Sequence, residues 1–211
     1  MKALLINGSP HEKGSTYTAL SFVAEALEEE GIETEILYIS QAPVKSCVGC
    51  RACKASGTNR CKFDDDIVNT ILEKAEGIDA AVFGSPVYYA SPNGHLLSVL
   101  DRVFFAGSAL FKAKPGAAIC AVRRGGATAT LDVLQKYFTS AGMPVAPSTY
   151  WPMIHGRVAA EVGQDEEGVQ SMKMIGKTIA WLTKCIAAGK AAGIEFPAIP
   201  GGEKVMTNFI R

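Results

Sequence analysis

The feature that most constrains this chain is an alternation along its length. Short, continuous apolar runs rich in β-branched residues take turns with segments whose apolar residues recur at helical spacing. The first run, Lys2–Asn7 (KALLIN), has the unbroken apolar character of a strand buried on both faces. Residues 16–30 follow, with Leu20, Val23, Ala24 and Leu27 on one stripe and acids opposite, and Gly31 closing the helix. Further strands are expected at 33–39, 80–84, 117–122 and 145–150. Further helices are expected at 95–105, 131–140 and 169–186, the last with Val169, Met172, Ile175, Ile179, Leu182 and Ile186 on one face. Asp64, Asp65 and Asp66 supply a cap and first-turn acids for one more helix, ending near Ala75. Such alternation predicts an α/β fold with a parallel sheet covered on both faces. Five strands and five helices predict the doubly wound order 2-1-3-4-5.

The pattern spans one expected domain, residues 1–188, into which a cysteine-rich segment without clear periodicity, 40–63, is inserted. Residues 189–211 are punctuated by Pro and Gly and read as an irregular C-terminal tail. Composition then removes several functions. Hydrophobic residues make up 48% and charged residues 20%, which excludes intrinsic disorder. Lys plus Arg and Asp plus Glu both number 21, so the basic excess of a nucleic-acid or anionic-membrane binder is missing. No apolar run approaches the roughly 18 residues of a membrane span. A strand starting at residue 2 leaves no room for a signal peptide, so the expected location is cytoplasmic and reducing. In that compartment clustered cysteines serve metals or redox chemistry more often than disulfides.

In sheets of this order, ligands sit beyond the C-terminal strand ends, where the strand order reverses. Three loops there are informative. After strand one, residues 8–16 (GSPHEKGST) open directly into a helix, placing backbone N–H groups and the hydroxyls of Ser9, Ser15 and Thr16 at its positive end. The order KGS, and the five residues between Gly8 and Gly14, match neither a nucleoside-triphosphatase P-loop nor a dinucleotide fingerprint. After strand three, residues 85–94 (SPVYYASPNG) form a stiff loop presenting two tyrosines to a planar ring. After strand four, Arg123, Arg124, Gly125 and Gly126 offer amides and positive charge to an anion. The bland alternatives are a turn capped by Ser15 for the first loop, tyrosines packed onto their own helix for the second, and a plain turn capped by Thr128 for the third. Their convergence describes a mononucleotide carrying a large flat ring.

The segments NGSPHEKGST, GSPVYYASPNGHLLSVLDR, RRGG, YWPMIHGRV and the terminal TNFIR resemble the NADPH-dependent FMN reductase branch of the flavodoxin-like superfamily. Within that branch, CVGCRACKASGTNRC resembles the compact cysteine motif of iron–sulfur flavoproteins. The resemblance implies a flavodoxin-like fold, bound FMN, NAD(P)H as co-substrate, and a homodimer or homotetramer. It also implies two-electron chemistry directed to a small-molecule acceptor. A ferredoxin-like protein partner is the alternative. By position, Ser9, His11, Ser15 and Thr16 would take the FMN phosphate. Pro86, Val87, Tyr88 and Tyr89 would face the isoalloxazine, with Gly125 and Gly126 at its pyrimidine end. His11 stands where Arg is common and Ser15 where Asn is common, which makes the phosphate hold weaker and pH-dependent. His155 and Gly156 fall in a loop that such proteins place near a flavin. No side chain is required as a general acid or nucleophile, because the flavin carries the chemistry.

Cys47, Cys50, Cys53 and Cys61 form C-x2-C-x2-C-x7-C. Successive x2 spacing suits a [4Fe–4S] cubane, since a short loop can wrap three sulfurs around it while a fourth arrives from further on. Metal-free thiols are the next reading, and zinc comes last, because overlapping knuckles suit it less well. Lys45, Arg51, Lys54, Arg60 and Lys62 surround the motif and would stabilise its negative charge. Cys120 and Cys185 lie in core-forming elements and read as packing residues.

Overall fold

The computed structural model describes residues 1–207 and 209. Asn208, Ile210 and Arg211, which belong to the tail and to TNFIR, lie outside the described residues. Strand β1 (Lys2–Asn7) leads into α1 (Ser15–Glu29), whose end shows how local chemistry sets a boundary. Gly31 takes φ +78°, and the amides of Gly31 and Ile32 fold back on Glu28 O (2.9 Å) and Leu27 O (3.0 Å), satisfying carbonyls the helix cannot. The chain then enters β2 (Glu33–Tyr38). The expected irregular insertion contains a single short turn of helix, α2 (Ala52–Ser56). Helix α3 (Ile67–Glu76) starts where Asp66 Oδ1 accepts from Val68 N at 3.1 Å, the expected cap.

Strand β3 (Ala80–Tyr88) runs further than the expected 80–84 and turns back as a hairpin into β4 (Ser91–Pro92). After α4 (Gly94–Gly107) come β5 (Gly116–Val122), α5 (Ala127–Ser140), β6 (Met153–His155), α6 (Ala159–Val162) and α7 (Glu166–Ala191). The parallel sheet has the order β2-β1-β3-β5-β6, with β4 antiparallel beside β3. Counting only its parallel strands, this is the flavodoxin-like 2-1-3-4-5 order.

The fifth parallel strand is displaced from the expected 145–150. Only Val145 bridges Gly116 there, and the chain re-enters the sheet at Met153, opposite Cys120. Pro147 has no N–H to continue a ladder, so the intervening residues bow outward and expose Tyr150 and Trp151. Helix α7 outruns its expected end and takes the first residues of the tail. Two apolar layers sandwich the sheet. Leu5, Val82 and Ile119 face α1 and α7, while Leu4, Phe83 and Ala118 face α3, α4 and α5. Among the described residues, no helix is long and apolar enough to cross a membrane.

Candidate functional site

The loops after β1, β3 and β5 open at one edge of the sheet, and side chains lock them together. Asn7, at the end of β1, donates from Nδ2 to Glu12 O (3.0 Å) and accepts from Ser9 N at Oδ1 (3.1 Å). Ser9 Oγ in turn accepts from His11 N (3.1 Å). Helix α1 begins after Gly14 with no side-chain cap, so its first-turn N–H groups are free to meet an anion. Ser9 and Thr16 are buried, Ser15 is half-buried and His11 is exposed. The residue tying this loop to its neighbour is Asn93. It donates to Gly8 O (2.9 Å), its own N–H reaches Ser85 Oγ (3.0 Å), and its Oδ1 caps α4 through His95 N (3.0 Å).

Pro86 lies opposite Ala121 in the sheet, Val87 opposite Pro92, and Tyr88 opposite Ser91. The hairpin turn is Tyr89 and Ala90, both left-handed at φ +49° and +57°, and the Tyr89 side chain stands wholly in solvent. Gly126 closes the other wall. Its φ is +93°, and a Cβ there would fall 2.7 Å from Ala90 Cα and 3.1 Å from Val87 Cγ1. Only glycine allows the β5 turn to rest on the hairpin. Gly125 beside it faces open space, and Arg123 and Arg124 are exposed. Gly126, not Thr128, is the residue at the start of α5. Tyr88 lines an open cleft of about 380 Å³ with Pro10, Ser40, Gln41, Asn93 and His95. His95 Nε2 is buried there without a hydrogen-bond partner among the described residues.

His155 ends β6, level with Val122, the last residue of β5. Its Nδ1 lies 3.2 Å from Asp165 Oδ2, and its ring is half-exposed. It therefore belongs to a strand end and not to the expected loop.

The cysteine segment folds around a second feature. Cys47, Cys50, Cys53 and Cys61 line one small cavity, with Arg51, Lys62, Phe63, Arg102 and Phe105. Among the described residues no three His, Cys, Asp or Glu side chains gather closely enough to hold a single metal ion. Of the five bases expected around the motif, Arg51 and Lys62 line this cavity, and Lys45 and Lys54 lie over the rings of Phe63 and Phe105 (5.2 and 5.3 Å). Arg60 turns away to Glu73 and Asp64.

Two residues without any role in the sequence reading hold this loop. Asn69 accepts from Cys61 N (2.8 Å) and donates to Cys61 O (3.0 Å) and Phe63 O (3.2 Å). Arg102, buried on the inner face of α4, pairs with buried Asp66 and donates from Nε to Cys61 Sγ (3.3 Å). Burial opposes the Arg102 charge, but its bonds to Asp66 and Cys61 outweigh that and hold its pKa raised. A charge set among the apolar residues Val99, Leu100 and Val103 of the expected helix was the available signal.

Residues 1–157 match the NADPH-dependent FMN reductase family. The chain belongs to that family. As an FMN reductase family member it is an NAD(P)H-dependent flavin oxidoreductase with FMN as its cofactor. It is 31% identical to an iron–sulfur flavoprotein of Methanocaldococcus jannaschii, over 88% of this chain and 99% of that one. An iron–sulfur flavoprotein of Archaeoglobus fulgidus is 29% identical over 85% and 94% of the two chains. The fold also resembles a WrbA-like flavodoxin from Agrobacterium tumefaciens (TM-score 0.58, 16% identity, 87% of this chain and 96% of that one). In this FMN reductase family member the first turn of α1 carries no side-chain cap, and Gly126 rests directly on the hairpin.

Proposed function

We propose that the chain is an iron–sulfur flavoprotein: an NAD(P)H-dependent FMN oxidoreductase that also carries a [4Fe–4S] cluster on Cys47, Cys50, Cys53 and Cys61. The observation that carries this is that all four cysteines of the motif line one small cavity, together with Arg51, Lys62 and Arg102. FMN, when bound, accepts hydride and releases electrons singly or in pairs, and a cluster supplies a one-electron relay. The chain's part is to hold and tune them. Ser9, His11, Ser15 and Thr16 hold the phosphate at the α1 N-terminus. Pro86, Val87, Tyr88 and Tyr89 orient the ring, and the N–H groups of Gly125 and Gly126 stabilise negative charge at its pyrimidine side. Electrons would leave to a ferredoxin-like protein, the one-electron partner a cluster suits; two archaeal relatives are named iron–sulfur flavoproteins. Delivery to a small acceptor is the second reading, favoured by the open position of Gly125 and the solvent-facing Tyr89. Exposed Ile194, Phe196, Ile199, Val205 and Met206 in the tail support assembly as a homodimer or homotetramer.

The test is an absorption spectrum and iron assay on protein purified without oxygen and reconstituted with iron and sulfide. The expected result is flavin bands on a broad brown shoulder, with the shoulder lost in Cys50→Ser and NADPH oxidation retained. Flavin bands alone, with no bound iron after reconstitution, would leave an FMN reductase with a metal-free loop.

A further inference from the structure

Arg102 is a costly residue to place where it is. Its side chain is about 1% exposed, and a buried ion pair such as Arg102–Asp66 is no better for stability than well-packed apolar residues. Its donors explain the cost. Nη1 reaches Lys45 O (3.3 Å), two residues before the first cysteine of the motif, and Nη2 reaches Phe63 O (3.0 Å), two residues after the last. Nε is aimed at Cys61 Sγ (3.3 Å), and the guanidinium lies over the Phe63 ring (5.5 Å). One planar group therefore grips both ends of the cysteine loop and one of its sulfurs. Among the described residues, no other cysteine of the motif receives a side-chain N–H on its sulfur.

We infer that Arg102 is a positioning residue that acts through Cys61 to set the reduction potential of the cysteine centre. The inference rests on the cluster reading above. A hydrogen bond and a positive charge at a ligating sulfur stabilise the state carrying one more electron, so they raise the potential. The change concerned is a one-electron reduction with no bond made or broken, the electron coming from dithionite in the titration. Asymmetry follows, because the effect enters through one ligand of the four.

Removing Arg102 alone would leave Asp66 buried and unpaired, and a failure to fold would then be uninformative. The comparison is therefore made within the Asp66→Asn background, which keeps an acceptor to cap α3. Cluster midpoint potentials of Asp66→Asn and of Asp66→Asn/Arg102→Met are measured by spectroscopically monitored titration, with iron content and circular dichroism on each. Adding Arg102→Met is expected to make reduction at least about tenfold less favourable, a shift of about 59 mV to more negative potential for one electron. Equal potentials in the two variants overturn the inference. So does a folded double variant that takes up no iron, which would reduce Arg102 to a brace. Wild-type protein that takes up no iron defeats the cluster reading itself, and that outcome is recognisable before any variant is made.

Discussion

Asp165 joins three groups at the start of α7. Its Oδ1 caps the helix through Gly168 N (2.9 Å), while Oδ2 accepts from His155 N (2.7 Å) and faces His155 Nδ1 (3.2 Å). Burial opposes its ionisation, but the two backbone N–H groups and the His155 ring outweigh that and hold its carboxyl below the ordinary value. A lowered carboxyl contributes stability that is present above the unfolded-state pKa and is lost as pH falls through the folded one. Asp165→Ala should therefore cost about 0.5–2 kcal/mol near neutral pH, the usual range for a lost N-cap. The gap should narrow as pH falls below the ordinary carboxylate value of about 3.9, where the unfolded chain takes up its proton first and the folded carboxyl follows at lower pH. Urea melts of both proteins at pH 7 and pH 3 measure this. An equal gap at both pH values would show that the ionised form contributes nothing.

At the scale of elements, the β3–β4 hairpin departs from what its backbone prefers. Two successive left-handed residues favour Asn-Gly, yet Tyr89 and Ala90 occupy them. The Tyr89 ring touches solvent only, so no packing offsets the strain. Tyr89→Asn should stabilise the fold by about 0.5–1 kcal/mol, from the steric cost of αL for a bulky residue, and weaken FMN binding if the ring stacks on ligand. Thermal melts of the apoprotein and fluorescence titration with FMN separate the two effects. Raised stability with unchanged affinity would remove Tyr89 from the site. The same hairpin marks where the sequence becomes hard to read. Buried runs such as Lys2–Asn7 and residues 117–122 announce themselves, because strands covered on both faces must be continuously apolar. Strand β3 hides its last residues behind Pro86 and the tyrosines. The edge strand was misplaced because the apolar pattern at Val145 is genuine but Pro147 prevents pairing, and Met153–His155 is too short to show a period. Among the residues that shape the three loops, Ser9 and Gly126 could be singled out from loop chemistry. Asn69, Asn93 and Arg102 could not be assigned their partners, since each acts on a segment distant in sequence or across a turn.

Across the whole molecule, the equal numbers of acids and bases give a pI near 6.8. Stability at alkaline pH is then governed less by net charge near neutrality than by protons the fold refuses to release. Burial in β5 pushes the Cys120 thiol up to about 12. Burial, and then its hydrogen bond to Asp101 (2.5 Å), also raise the Tyr137 hydroxyl. Both groups are neutral when protonated, and the folded state binds their protons more tightly than the unfolded chain does. Their contribution is complete below the unfolded-state values and is lost as pH rises toward the folded ones, since the unfolded state ionises first. For Cys120, stability should fall between about pH 9 and 12 by no more than about 1.4 kcal/mol per pH unit. Urea midpoints measured from pH 8 to pH 11 should decline, and Tyr137→Phe with Cys120→Ala should flatten that decline while lowering stability at pH 7 through the space left at Cys120. An unchanged alkaline slope in the double variant would move the titration to other groups. The same burial predicts that native protein leaves Cys120 unalkylated at pH 8, while exposed Cys50 reacts when no metal is bound.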